Sequence, residues 1–441
     1  MTSFLERLYA LLWGPPMLVL IFVVGLWLSV CTRFVQIRLL GQAIRRFLSL
    51  FSPKNSSQAS AFQALCTALA ATVGTGNLVG VAGAICLGGP GAVFWMLLFA
   101  FFGMAVKYAE ATLAVRYSHC TGQETVGGTM YMIRFGLPGW LHPLAYGFCL
   151  FGFLASFGIG NLAQVNAAVS SIRSVSDSFS PLLLGIILAV LVGLSFLRGA
   201  NSIGGIAQVL VPSAAGVYIV LCLILLICNA EAIPGAITSI IQGAFSPKAV
   251  TGGIIGSAIR SVQTGCSRGI FSNEAGMGTA SIAHGAAQVA HPVEQGMMGL
   301  LEVFLDTVVV CTLTALVILC SGIPIPYGLD AGAELATSAF STFYGGYGKI
   351  IVAAFLSCFS YATILGWSLY GLRCCQFLFG QKSAPVFFLL QTVTVVFGAV
   401  LNAPVVWRTS EILNGLMTLP NLLTLTLLSP ELIHLTNSYH K

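Results

Sequence analysis

Long apolar runs, each about as long as a bilayer is thick, alternate along this chain with short polar connections. A helix needs about 20 apolar residues to cross the hydrocarbon core, whereas a membrane strand alternates over about 10, so the runs predict helices and not a β-barrel. The pattern places eleven of them, at residues 14–32, 62–87, 92–117, 143–170, 181–199, 205–229, 253–289, 295–321, 349–376, 385–402 and 408–429. Two runs are interrupted in the middle: Ala71-Thr72-Val73-Gly74-Thr75-Gly76-Asn77 breaks the second, and Arg268-Gly269-Ile270-Phe271-Ser272-Asn273-Glu274-Ala275-Gly276-Met277-Gly278 breaks the seventh. A break at membrane depth leaves backbone groups without helical partners, which is tolerated only where protein or a cavity surrounds them.

Composition strengthens the membrane reading. Of 441 residues, 57% are hydrophobic and only 7% charged, against about 25% charged in soluble domains. The 49 glycines suit close helix approach in lipid. The thirteen cysteines include Cys66, Cys86, Cys149, Cys222, Cys228, Cys311, Cys320 and Cys358 within apolar segments and form no CxxC pair, so they read as small hydrophobes. Asn55-Ser56-Ser57 matches the glycosylation pattern but sits beside basic residues and reads as chance. The first run is expected to be retained, since Glu6 stands beside Arg7, no small-residue cleavage site follows, and Arg33, Arg38, Arg45 and Arg46 form a stop-transfer flank.

Lys and Arg set the expected orientation. With the N-terminus outside, the cytoplasmic side holds Arg33, Arg38, Arg45, Arg46, Lys54, Lys107, Arg116, Arg134, Arg198, Arg373, Lys382 and Lys441. The outer side holds only Arg7, Arg173, Lys248, Lys349 and Arg408. The C-terminus is then cytoplasmic, and the expected location is the plasma (inner) membrane. The net charge of +6 reflects topology, and its basic residues are too dispersed to imply a nucleic-acid partner. Setting 14–32 aside as an extra helix, the other ten segments of this single transmembrane domain (1–441) divide into halves, 62–229 and 253–429. Each half opens with a broken helix, and the two enter from opposite sides. That is the inverted-repeat arrangement in which ligands bind near the midplane, where the breaks meet.

The first break has the chemistry for a zwitterion and a cation. Gly74 and Gly76 leave helical geometry cheaply and free N–H groups suited to a carboxylate. Carbonyls from Ala70 to Val73 suit a hard monovalent cation, with oxygens added by Thr72, Thr75 and Asn77; the alternative is that these glycines only permit tight packing. No following Gly-Lys-Ser/Thr exists to make a phosphate loop. Across the second break, Phe271 can wall a small side chain and carbonyls near Ile270 to Ser272 can accept from an ammonium. Arg268 and Glu274 serve either as a structural ion pair or as a gate. Asn161, Gln164 and Asn166, with Ser357, Ser360, Thr363 and Trp367, either converge on the breaks or bond between helices. Lys107 and Glu110, three apart, are expected to pair near a cytoplasmic end and reach water. Glu302 and Asp306, four apart, share a helix face and line a wet cavity or relay protons.

Several longer motifs carry a resemblance. They are Trp13-Gly14-Pro15-Pro16 leading to Phe34-Val35-Gln36-Ile37-Arg38, Gly74-Thr75-Gly76-Asn77, Gly88 to Met96, Lys107-Tyr108-Ala109-Glu110, Arg268 to Gly276, Ile282-Ala283-His284, Phe304-Leu305-Asp306-Thr307, Thr363 to Trp367, and Asn414-Gly415-Leu416-Met417. Over nearly its whole length the chain resembles the alanine or glycine:cation symporters. The resemblance implies an all-α polytopic membrane protein with a 5+5 inverted-repeat (LeuT-like) core and one extra N-terminal helix. It implies a secondary active symporter that imports a small neutral amino acid with Na+ and needs no cofactor. Carried over by motif, Thr72, Gly74, Thr75, Gly76 and Asn77 would surround the substrate carboxylate, with Phe271, Ser272 and Met277 opposite and Asn161, Gln164, Thr363 and Trp367 completing the pocket. Sodium would sit between the Ala70 and Val73 carbonyls and the stretch from Phe359 to Thr363.

Departures from the family pattern are local: Gly127-Gly128-Thr129-Met130-Tyr131-Met132 for Gly-Gly-Pro-Met-Tyr-Tyr, Gly278-Thr279-Ala280-Ser281 for Gly-Ser-Ala-Pro, and Glu411 for Asp. The second bears on substrate preference. Proton coupling, or a broader range reaching serine and glutamine, is the alternative within the class. An intramembrane enzyme is disfavoured because Gly193-Leu194-Ser195 has no evident His partner and no HExxH occurs. A passive channel is disfavoured by the lack of a filter-like repeat.

Overall fold

A computed structural model describes residues 7, 9, 11–51, 56–121, 124–197, 199–245, 258–401 and 403–439. Lys54, Asn55, Arg198, Lys248 and Lys441 lie outside the described residues. Helix α1 (Pro15–Cys31) starts on prolines at its first turn, where the missing N–H has no intrahelical role. It ends at Arg33 and Phe34, both at positive φ (55° and 53°), which turn the chain into α2 (Val35–Arg38) and amphipathic α3 (Leu40–Leu50). α3 buries Ala43 and Leu50, and its Arg46 pairs with Glu294 at 2.7 Å.

The first broken segment is α4 (Ser56–Thr72), a π turn at Gly76–Gly80 and α5 (Val81–Gly88); its two arms bend by 52°. The 26-residue α6 (Gly91–Arg116) follows, then a short antiparallel ribbon of β1 (His119–Thr121) and β2 (Glu124–Val126). Next come α7 (Thr129–Gly136), α8 (Pro143–Phe157), a second π turn at Gly158–Leu162, and α9 (Ala163–Val175). α10 (Pro181–Phe196), α11 (Ala200–Cys228) and α12 (Ile233–Phe245) complete the first part of the chain.

In the second part, α13 (Ala258–Asn273) stops at an irregular stretch with Glu274, Gly276 and Gly278 at positive φ, before the five-residue α14 (Ala280–His284). α15 (Pro292–Val303) runs through a third π turn (Phe304–Cys311) into α16 (Thr312–Cys320). The remaining elements are α17 (Gly332–Tyr344), the 33-residue α18 (Tyr347–Phe379), α19 (Ala384–Val400), α20 (Ala403–Leu427) and α21 (Ser429–Ser438).

Among the described residues, six helical stretches are long and apolar enough to cross a membrane, or eight if each bent pair is one span. The apolar stretches of α11 and α19 are 28% buried and that of α18 is 67%, which separates a lipid-facing periphery from a central layer. Leu183, Ile187 and Val190 on α10 and Leu389 and Val393 on α19 are exposed, a composition that lipid solvates and water does not. In the centre, α15 lies close on α6 because Gly296 and Gly299 face it. A Cβ on Gly299 would come within 2.7 Å of the Lys107 carbonyl, and one on Gly296 would collide with the Thr112 hydroxyl.

The expected segment 253–289 needs correction, since helix is confined to 258–273 and 280–284 of its described residues. The two breaks are thus unequal. The first resumes through a π turn into an eight-residue helix, whereas the second resumes for about one turn. The ribbon and helices α3, α7, α12, α17 and α21 were not expected from the apolar pattern.

Candidate functional site

A small cavity of about 20 Å³ lies at the first break, far below the 300–1,000 Å³ usual for small-molecule sites and close to what a single water occupies. Ala71, Thr72, Gly74, Thr75 and Gly76 form its floor. Close packing explains the glycines here. A Cβ on Gly74 would stand 2.8 Å from Thr363 Oγ1, and one on Gly76 would stand 3.2 Å from Ser272 Cα. Ile159 and Gln164 close one side, Phe271 and Glu274 another, and Thr363, Trp367 and Asn414 complete the lining.

The backbone of the break is rewired around Asn77. Gly74 N, which in a continuing helix would bond the Ala70 carbonyl, donates instead to Asn77 Oδ1 at 2.8 Å. Asn77 N turns from the Val73 carbonyl to that of Gly74 at 3.3 Å. The Ala70 and Val73 oxygens have therefore lost their helical donors. Thr363 Oγ1 and Asn414 Oδ1 are buried without a protein partner. Thr75 Oγ1 donates to Gln164 Oε1 at 3.4 Å, and Gln164 Nε2 donates to the Ile159 carbonyl at 3.1 Å. Phe359, four residues before Thr363 on α18, is buried in the apolar core.

Four residues expected at the pocket stand behind it. Asn77 Nδ2 donates to Asp306 Oδ1 at 2.8 Å, and Ser272 Oγ donates to Asp306 Oδ2 at 2.9 Å. Asn161 Nδ2 donates to Gln391 Oε1 at 2.6 Å, and Met277 is fully buried in the apolar core. Asp306 thus bridges the two breaks, a role its spacing from Glu302 did not reveal. Asn77 beside two glycines was the available signal, because a buried amide needs a partner from another element.

The charged residues also pair differently from expectation. Lys107 and Glu110 do not pair or reach water: both are fully buried, and Lys107 Nζ bonds Glu302 Oε1 at 3.1 Å. Glu302 Oε2 meets His284 Nε2 at 2.9 Å, and His284 Nδ1 meets Gln295 Nε2 at 2.7 Å. Glu302 and Asp306 face different partners, so they form no shared wet face. Glu110 Oε1 accepts from the N–H groups of Gly276 (3.0 Å) and Gly278 (3.1 Å) and from Asn421 Nδ2 (2.7 Å). Glu274 bonds Thr279 and Trp367, not Arg268. Nearly every polar group of the second break is thereby held by protein.

Against this geometry, the family model described as the sodium:alanine symporter family matches residues 1–441. The chain belongs to that family. The sodium/alanine symporter AgcS of Methanococcus maripaludis is 40% identical over 445 residues, covering 100% of this chain and 97% of that protein. An uncharacterized transporter of Haemophilus influenzae is 42% identical, covering 99% and 96%. The crystal structure of MhsT in complex with L-phenylalanine superposes with a TM-score of 0.58 at 16% identity, covering 85% of this chain and 97% of that one. At that identity the likeness shows a shared LeuT-like fold alone. Family members are transporters and not enzymes, and the chain is a multi-pass, secondary active, sodium-coupled amino-acid symporter.

Proposed function

We propose that this family member imports alanine or glycine with Na+ by alternating access, the substrate held in the cavity at the first break. The observation that carries this is the small cavity bordered by rewired backbone, with a floor of glycines and threonines that widens to take the substrate. The substrate carboxylate meets the backbone at Thr75 and Gly76, the Gly74 amide being taken by Asn77, and Trp367 and Phe271 wall its side chain. Na+ takes the Ala70 and Val73 carbonyls with the Thr363 hydroxyl, an oxygen-only set suited to a hard cation. Cation binding orders the first break, and differential affinity of the two access states for Na+ and substrate supplies the coupling. A potential of about 100 mV contributes about 2.3 kcal/mol per charge moved, roughly a fifty-fold accumulation.

In this reading the chain spans the plasma membrane eleven times, with an N-terminal helix preceding a five-plus-five inverted repeat. Six clear spans, two bent pairs, the shorter helices Pro15–Cys31 and Pro181–Phe196, and α13 with α14 are the material for it. The N-terminus is outside and the C-terminus cytoplasmic, on the Lys and Arg distribution.

Labelled-alanine uptake into proteoliposomes tests the function, with sodium and proton gradients imposed separately and glycine, serine, D-alanine and glutamine as competitors. Accumulation under the sodium gradient, blocked best by glycine, is the expected result. Accumulation driven by protons alone overturns the sodium assignment.

A further inference from the structure

Glu274 occupies a backbone conformation that favours glycine, with φ at +53°. A glycine there would relieve the strain, so the side chain has to justify its position. The residue is buried, and both carboxylate oxygens are engaged: Oε2 accepts from Thr279 Oγ1 at 2.6 Å and Oε1 from Trp367 Nε1 at 2.9 Å. Trp367 is also held from behind, by the π turn at Gly158–Leu162. A Cβ on Gly160 would come within 2.7 Å of Trp367 Cγ, so the glycine lets the indole seat there. Both Glu274 and Trp367 line the cavity.

We infer that Glu274 sets the upper size limit for the transported side chain by fixing the Trp367 indole as a rigid wall, making it a positioning residue that acts through Trp367. The inference rests on the transport reading above and adds to it the residue that determines specificity. An indole tied at its N–H cannot swing aside to admit a longer side chain; one released from Glu274 can. The carboxylate works here as a hydrogen-bond acceptor, and its charge is not what selects.

The test is the ratio of inhibition constants for glutamine and alanine, measured by competition against labelled-alanine uptake in proteoliposomes. Glu274→Ala should shift the ratio about ten-fold in favour of glutamine, the scale of discrimination an apolar pocket achieves. Glu274→Gln keeps an acceptor for the indole and should stay within about two-fold of wild type on the same scale. Should Glu274→Ala not be recovered folded, Trp367→Phe decides: it keeps an apolar ring with no N–H to donate and should shift the ratio in the same direction. An unshifted ratio in Glu274→Ala or in Trp367→Phe overturns the inference, as does a Glu274→Gln shift equal to that of Glu274→Ala. Wild type that fails to accumulate alanine under a sodium gradient defeats the transport reading itself, a separate outcome.

Discussion

The two breaks look alike in the sequence and differ in what they leave open. At the first, glycine backbone and threonine hydroxyls border the cavity, and the Ala70 and Val73 carbonyls have given up their helical donors. At the second, Glu110 takes the Gly276 and Gly278 amides, Asn421 donates to the Gly276 carbonyl at 2.9 Å, and Asn273 Oδ1 takes the Ala275 amide at 3.0 Å. Only Phe271 and Glu274 of that stretch reach the cavity. An interrupted membrane helix can thus serve a ligand or be sealed by the protein's own polar groups. Telling the two apart requires knowing the partner of each freed group.

If this contrast holds, changes at the first break alter transport before stability, and changes around the second alter stability first. The largest effect is expected from Gly76→Leu, which fills the cavity floor against Ser272. Uptake of labelled alanine should vanish in the folded protein, with some loss of thermal stability in detergent because a Cβ here already meets Ser272 Cα at 3.2 Å, and normal uptake would misplace the site. Lys107→Ala leaves the buried Glu302 with His284 alone and should lower stability by about 3–5 kcal/mol, read from the same unfolding curves. Glu110→Ala strips the acceptor from two buried amides and should cost about 2–3 kcal/mol. If it instead abolished uptake with unchanged unfolding, the second break would be a ligand site after all. The smallest effect belongs to Thr363→Val, which removes one hydroxyl and should raise the sodium concentration for half-maximal uptake roughly tenfold, about 1.4 kcal/mol.

Long apolar runs made most helices legible: α1, α6, α10, α18 and α19 begin and end within a few residues of their expected limits. α3, α12, α17 and α21 escaped because each is short, from 10 to 13 residues, and carries too short an apolar run to register as a span. The breaks themselves were visible as glycines in apolar surroundings. Which way their side chains point was not, because a break abolishes the 3.6-residue period from which facing is inferred. That is why Asn77 and Ser272 turn to Asp306 instead of the cavity. Charge pairing was misread for a related reason. Spacing three apart suggests Lys107 with Glu110, yet Gly296 and Gly299 bring α15 close enough to supply Glu302.

The Lys107–Glu302 pair also bears on how the chain is made. Its two members lie 195 residues apart, and synthesis adds about 5–20 residues per second, so the lysine waits on the order of 10–40 s for its acid. During that interval α6 must enter lipid carrying an ammonium group, and Glu110, one turn further along the same helix, is an acid within reach. Until α15 arrives, the acid within helical reach of Lys107 is Glu110, three residues along α6; in the finished molecule that same Glu110 holds the second break instead.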